Sequence, residues 1–217
     1  MTTPAHAALS LIVLGRSERN ALPAALGAVA PDLPMLVFYL WERLARGVSE
    51  GRIWSERYFD PGWQVVFDIP SSIPLLVLAL CILLMLIGRR STAGGIPTAG
   101  AIAPAGVAAT PPSARLTAWA LFVASMILHA LGDLPLHRED AHRHFFPFSD
   151  WRFTSPVSYW DPAHYGGYAA IGEVLLVLAV SVFLFRAYRG RGRWIVAGVA
   201  GVYALFVGFA VLVWSGL

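Results

Sequence analysis

The chain has 217 residues, of which 57% are hydrophobic and only 13% charged, about half the charge a soluble domain usually carries. The mean hydropathy of +0.63 agrees. A soluble enzyme, a disordered chain and a disulfide scaffold are therefore poor fits, which leaves an integral membrane protein. The net charge is +3, all sixteen basic residues are arginines, and they are scattered through the loops, so no basic stripe for nucleic acid forms. The one cysteine, Cys81, lies in an apolar run and closes no internal disulfide.

In chain order, the first hydrophobic stretch covers residues 5–14. It is too short to cross a bilayer core, which takes about 20 residues, and reads as a half-span or re-entrant helix. The second, 21–41, carries Pro31, Asp32 and Pro34 in its middle. The third, 72–88, is almost purely aliphatic. Residues 91–113 are rich in Ala, Gly, Pro and Thr without charge or periodicity, which reads as a disordered linker. The fourth stretch is 116–134. The last hydrophobic region splits at an arginine cluster into 168–185 and 194–214. The expected fold is all-α: a single polytopic membrane bundle over residues 1–217, with about five spans and a short N-terminal helix.

Arginine placement orients the spans. Arg16, Arg19, Arg89, Arg90, Arg115, Arg186, Arg189, Arg191 and Arg193 fall in loops that share one side and hold a single acid, Glu18. That side is expected to be cytoplasmic. Segments 42–71 and 135–167 then face outward, carrying seven arginines against nine acids. Both are crowded with aromatic rings, which favour the headgroup layer, and are expected to lie on the membrane surface as a cap.

Five of the six histidines fall between positions 129 and 164, most densely in H-A-L-G-D-L-P-L-H-R-E-D-A-H-R-H. His129 and Asp133 are four apart and share a helix face. Pro135 should end that helix near Asp133, so His137 comes off the turn and can fold back. Two imidazoles and a carboxylate with an open position suit a catalytic zinc. Ionisable groups near the end of an apolar span are costly and tend to mark sites. Asp32, flanked by prolines inside a span, is the second such group, because broken helices at membrane depth line polar cavities. Glu173, inside the outer end of its span, is at a depth to meet the pair. His6 begins the first helix on the same side. His142, His144 and His164 are further candidates, although exposed loop histidines are as often only solvated. Carboxylates and imidazoles without thiolates suit zinc first, with manganese or iron as alternatives, and such centres attack phosphoesters. Arg138, Arg143 and Arg152 are placed to neutralise a phosphate, or to pair with Glu139, Asp140 and Asp150. No G-x-S-x-G, P-loop, H-E-x-x-H or C-x-x-C occurs.

The elements T-P-A-H, G-A-V-A-P-D, H-A-L-G-D and F-P-F-S together resemble the bacterial membrane-bound metal-dependent hydrolases of the DUF457 or YdjM-like group. H-A-L-G-D-L-P-L-H is also similar to a signature of zinc-dependent phospholipase C and related single-strand nucleases, in which the aspartate bridges metals and the histidines are ligands. The resemblance implies His6, Asp32, His129, Asp133 and His137 as the metal set, with Asp133 and His129 catalytic. The family's H-R-x-x-T-H-S element is absent, and His142, His144 or His164 would supply its ligands. The stretch from Phe145 to Gly167 resembles a narrower subgroup, some members of which carry a cobalamin-biosynthesis label. The expected function is hydrolysis of a phosphoester at the outer face of a bacterial inner membrane, in contact with lipid. The rival expectation is a non-enzymatic protein that binds a metal for transport or sensing.

Overall fold

The structure is a computed structural model that describes residues 1–93 and 112–214. Nine α-helices occur among the described residues, with no strand. They are α1 Thr3–Val13, α2 Glu18–Val29, α3 Leu33–Leu40, α4 Glu50–Ser55, α5 Pro61–Ser71, α6 Ile73–Ala93, α7 Pro112–Asp133, α8 Gly166–Ala187 and α9 Arg191–Trp214. Five stretches are long and apolar enough to cross a membrane: Glu18–Ala45, Pro61–Arg90, Ala114–Asp133, Gly166–Ala187 and Arg191–Leu212. With the shorter apolar α1 they make a multi-pass helical membrane bundle. Its outer surface is apolar, as a lipid-facing surface must be: Leu78, Leu175, Leu205 and Phe209 all project outward. Cys81 is on that surface too.

α1 is the centre of the bundle and packs on α2, α7, α8 and α9. It fits there because its faces are small: Ala5, Ala7 and Ala8 are buried, as are Ala21, Ala24 and Ala28 of α2. Between helices in lipid, close approach of small residues replaces the hydrophobic effect as the source of packing energy. The tightest approach is at Gly27, where a Cβ would stand 2.2 Å from the Phe122 carbonyl oxygen of α7. Two side-chain bonds run alongside it: Ser125 Oγ donates to Ala24 O at 2.6 Å, and His129 Nδ1 to Ala28 O at 2.6 Å.

Pro31 and Pro34 act as expected on the second span. Helix α2 gives way to a 3₁₀ turn at Ala30–Asp32 and resumes as α3. The third span differs from its sequence reading. It begins at Pro61 rather than at Ser72, because residues 61–71, read as part of an outward loop, form helix α5. The reason is amphipathicity. α5 buries Gln64, Phe67, Asp68 and Ser71 on one face, a pattern that uniform apolarity does not reveal. Asp60 caps it by accepting from Gly62 N at 3.0 Å. Of the 91–113 segment expected to be disordered, the ends are helical backbone in α6 and α7, and positions 94–111 lie outside the described residues.

The two ends of the bundle separate by chemistry. At one end Tyr188 Oη donates to Gly15 O, and Arg189 N to Glu18 Oε1; the loops holding Arg16, Arg19 and Arg186–Arg193 therefore lie together. At the other end residues 42–60, the α5 start of the third span and residues 135–167 pack into one cap. Phe38, Ile53, Tyr58 and Phe67 form its apolar core. The buried Asp68 joins the segments by accepting from Arg143 N at 3.0 Å and from Arg143 Nε at 2.5 Å. Ile73 N donates to His144 O at 2.8 Å, which ties the start of α6 to the same loop.

Candidate metal centre

Four elements bring the polar groups together. α7 carries His129 and Asp133 one turn apart, and both are buried. The helix ends at Asp133, and the turn after it folds His137 back: its backbone N donates to Asp133 O at 3.1 Å. α1 presents His6, whose ring stacks on His129 with centroids 3.7 Å apart and planes 18° apart. The 3₁₀ break in the second span presents Asp32. Asp32 Oδ1 lies 3.4 Å from His129 Nε2, and Asp32 Oδ2 accepts from Thr3 Oγ1 at 2.5 Å. Of the five residues expected to form the metal set, His6, His129 and His137 thus gather on Asp133, and Asp32 adjoins His129.

Asp133 is the hub. Its Oδ1 lies 2.8 Å from His6 Nε2, 3.0 Å from His137 Nε2 and 3.1 Å from the Met1 ammonium; its Oδ2 lies 3.1 Å from His129 Nε2. The tautomers follow from the far sides of the rings. Ala28 O can only accept, so His129 Nδ1 carries a proton. His137 Nδ1 lies 3.0 Å from Asp140 Oδ2 as an ion-pair contact without a hydrogen bond. A histidine held at Nδ1 as His129 is points an Nε2 lone pair at whatever it faces, and this is how metal-ligating histidines are oriented. Here the lone pairs face a carboxylate. Two acceptors at about 3 Å repel unless a cation stands between them. Without a metal that cation is a proton or the Met1 ammonium, which lies 3.3 Å from His137 Nε2 and 3.1 Å from Asp133 Oδ1. Burial opposes charge on His137, but Asp133 and Asp140 outweigh it and lift its pKa to about 9. A divalent ion serves the same need. His6, His129 and Asp133 each offer a ligand atom, all within 4.8 Å of one another.

The geometry also divides the ligands. His6 and His137 address Asp133 Oδ1, whereas His129, with Asp32 beside it, addresses Oδ2. The stacked His6 and His129 rings thus present their Nε2 atoms to different oxygens of the one carboxylate.

Glu173 is brought close but is occupied otherwise. It accepts from Thr2 N at 2.9 Å and from Thr2 Oγ1 at 2.7 Å, and so anchors the start of α1. His164 belongs to a separate, more exposed group, with its Nδ1 2.6 Å from Asp161 Oδ2 and 4.0 Å from Glu139 Oε1. His142 and His144 are buried, not solvated. Burial and the neighbouring His142 press the His144 pKa down to about 4. Of the three arginines, Arg138 pairs with Glu139 at 3.3 Å and Arg143 with Asp68 and Asp150. Arg152 donates to Ala141 O and Gln64 Oε1, and no carboxylate is within ion-pair reach of it among the described residues. Arg143 and Arg152 line a cleft of about 260 Å³ in the cap with Phe59, Pro61, Gln64 and Val65.

Sequence reasoning missed Asp68, Asp140 and Gly132. The first two lie in segments where acids are common, so nothing marked them. Gly132 did carry a signal, as a glycine inside a helix one residue before Asp133. A Cβ there would stand 3.2 Å from His6 Cε1 and 3.3 Å from His6 Nδ1, so the missing side chain makes room for the ring. Gly132→Val is expected to push His6 off Asp133 and weaken zinc binding by at least about tenfold, as read by titration against a competing chelator.

Comparison with family models, with curated proteins and with solved structures gives no match to this chain.

Proposed function

We propose that this chain is a membrane-bound metal-dependent hydrolase of the DUF457 or YdjM-like kind, acting on a phosphoester at the outer face of a bacterial inner membrane. One observation carries the reading: imidazole Nε2 atoms from three separate elements converge on the single buried carboxylate of Asp133. Desolvating that many ionisable groups is costly and is repaid when a cation organises them. The donor set fits a divalent ion with nitrogen and oxygen preference, zinc first and manganese or iron after it. His6 and His137 with Asp133 Oδ1, and His129 and Asp32 with Asp133 Oδ2, would hold it. A bound ion of this kind supplies a Lewis acid for a phosphoryl oxygen and lowers the pKa of water.

The chain's own groups do the rest. Ala28 O fixes the ring orientation of His129, and Asp140 lies 3.0 Å from His137 Nδ1 as an ion-pair contact. Thr3 holds the Asp32 carboxylate, and Glu173 holds Thr2 and with it the helix that carries His6. Arg152, free of a carboxylate partner among the described residues, supplies positive charge in the cap cleft where an anionic substrate would enter. The test is turnover of a chromogenic phosphodiester by purified protein with zinc or manganese added. Turnover is expected in the parent and should be lost in His129→Ala. Metal binding without turnover would favour the second reading, a non-enzymatic metal carrier or sensor, which the burial of His6 and His129 to 1% exposure supports.

Sidedness is tested separately. A cysteine at Asp150 in the cap is expected to react with a membrane-impermeant maleimide added to intact cells with a permeable outer layer. A cysteine at Arg191 should react only after lysis. The reverse pattern would place the metal centre in the cytoplasm.

A further inference from the structure

Unpartnered buried polar atoms are rare, because each costs about 1–3 kcal/mol when left without a hydrogen bond. Among the described residues, His6 Nδ1 and Ser10 Oγ of α1 are such atoms, and the others fall in one loop: His137 Nδ1, Asp140 Oδ1, His142 Nδ1 and both ring nitrogens of His144. His144 is 2% exposed and His142 7%. Their rings stand nearly perpendicular at 85°, with centroids 6.1 Å apart, and the His142 ring centroid is 5.9 Å from that of His137. Beneath them is Asp68, 0% exposed, whose Oδ1 lies 3.6 Å from His142 Nδ1.

That last distance is too long for a hydrogen bond. It suits two ligands of one ion, since bonds of about 2.0–2.2 Å at a tetrahedral angle set donor atoms about 3.3–3.6 Å apart. The His142 and His144 rings, with centroids 6.1 Å apart, have to move closer for both to reach one such ion. Asp68 is already held as ligating carboxylates are, by hydrogen bonds from Arg143 N and Nε.

We propose that His142, His144 and Asp68 form a second divalent transition-metal site in the cap, separate from the Asp133 centre. The two imidazoles and one carboxylate leave a coordination position open, and imidazole-rich donors favour zinc, nickel or copper over magnesium or calcium. The site stands on its own ligands and does not depend on hydrolysis at Asp133. It also explains the burial of two histidines that the sequence left open between ligand and solvated loop residue.

The experiment is metal stoichiometry of the full chain in lipid nanodiscs, dialysed against zinc and counted by mass spectrometry. His142→Gln/His144→Gln is expected to bind one zinc fewer than the parent. Asp133→Asn should lose ions at the hub while keeping the one in the cap. An unchanged count in the double variant overturns the cap site whatever Asp133→Asn does; an unchanged count in Asp133→Asn instead overturns the hydrolase centre. If the double variant fails to fold, unmutated protein decides the matter. Carbethoxylation of His142 and His144, mapped by peptide mass spectrometry, is expected to slow at least fivefold when zinc is added. Equal modification with and without zinc would overturn the site.

Discussion

Asp133→Asn is expected to abolish metal binding at the hub and to reduce hydrolysis at least 100-fold. The loss of a mere supporting partner of a metal ligand already costs about 10–100-fold, and Asp133 is the group that three imidazoles share. The asparagine keeps the shape but removes the negative charge that holds His6, His129, His137 and the Met1 ammonium in place. Breaking a buried charged cluster by removing one member costs about 3–5 kcal/mol, so the variant should also unfold at lower temperature in detergent. Metal analysis and thermal unfolding on the same sample check both effects. A variant with full metal content and parent activity would remove the basis for the proposed chemistry.

Gly27→Val is expected to have the largest effect of any substitution outside the polar cluster. The new Cβ would meet the Phe122 carbonyl oxygen at 2.2 Å and Ser125 Cβ at 2.8 Å. Both belong to backbone or short side chains of α7, so neither can swing away. Overpacking of a tight contact costs about 1–3 kcal/mol, occasionally more, and this one forces two helices apart. The Ser125–Ala24 and His129–Ala28 bonds flank the contact and should be lost with it. Without the second bond His129 loses its fixed tautomer, so zinc affinity should fall together with stability. Gly201→Val in α9 is the control. A Cβ there meets nothing within 4 Å, and stability should stay within about 0.5 kcal/mol of the parent. Chemical unfolding in mixed micelles, with zinc affinity measured alongside, separates the two variants.

Much of the bundle was legible without coordinates, because a bilayer makes one demand above all. Its core accepts only long apolar helices, so hydropathy alone marked the five spans and the short first helix. The broken second span was legible for a related reason: Pro31 and Pro34 lack the N–H groups that a continuous helix needs, and the 3₁₀ turn falls between Val29 and Leu33. The helix pair His129 and Asp133, and the return of His137 after Pro135, followed from the 3.6-residue period and from proline sterics. Helix α5 was not legible. Its buried Gln64 and Asp68 look like loop residues until a cap exists to bury them.

Residue type and spacing were thus enough to determine that the chain is a helical membrane bundle. They could not decide how the ionisable groups share their partners. Glu173 stood at the right height for a ligand, yet it faces Thr2; His142 and His144 read equally as ligands or as solvated residues and are buried, His142 against Asp68. Whether an imidazole meets a carboxylate, a carbonyl or nothing depends on helix rotation and on approaches of a few tenths of an ångström, as at Gly27 and Gly132. Those quantities arise only when residues far apart in the chain pack together, and no local pattern encodes them.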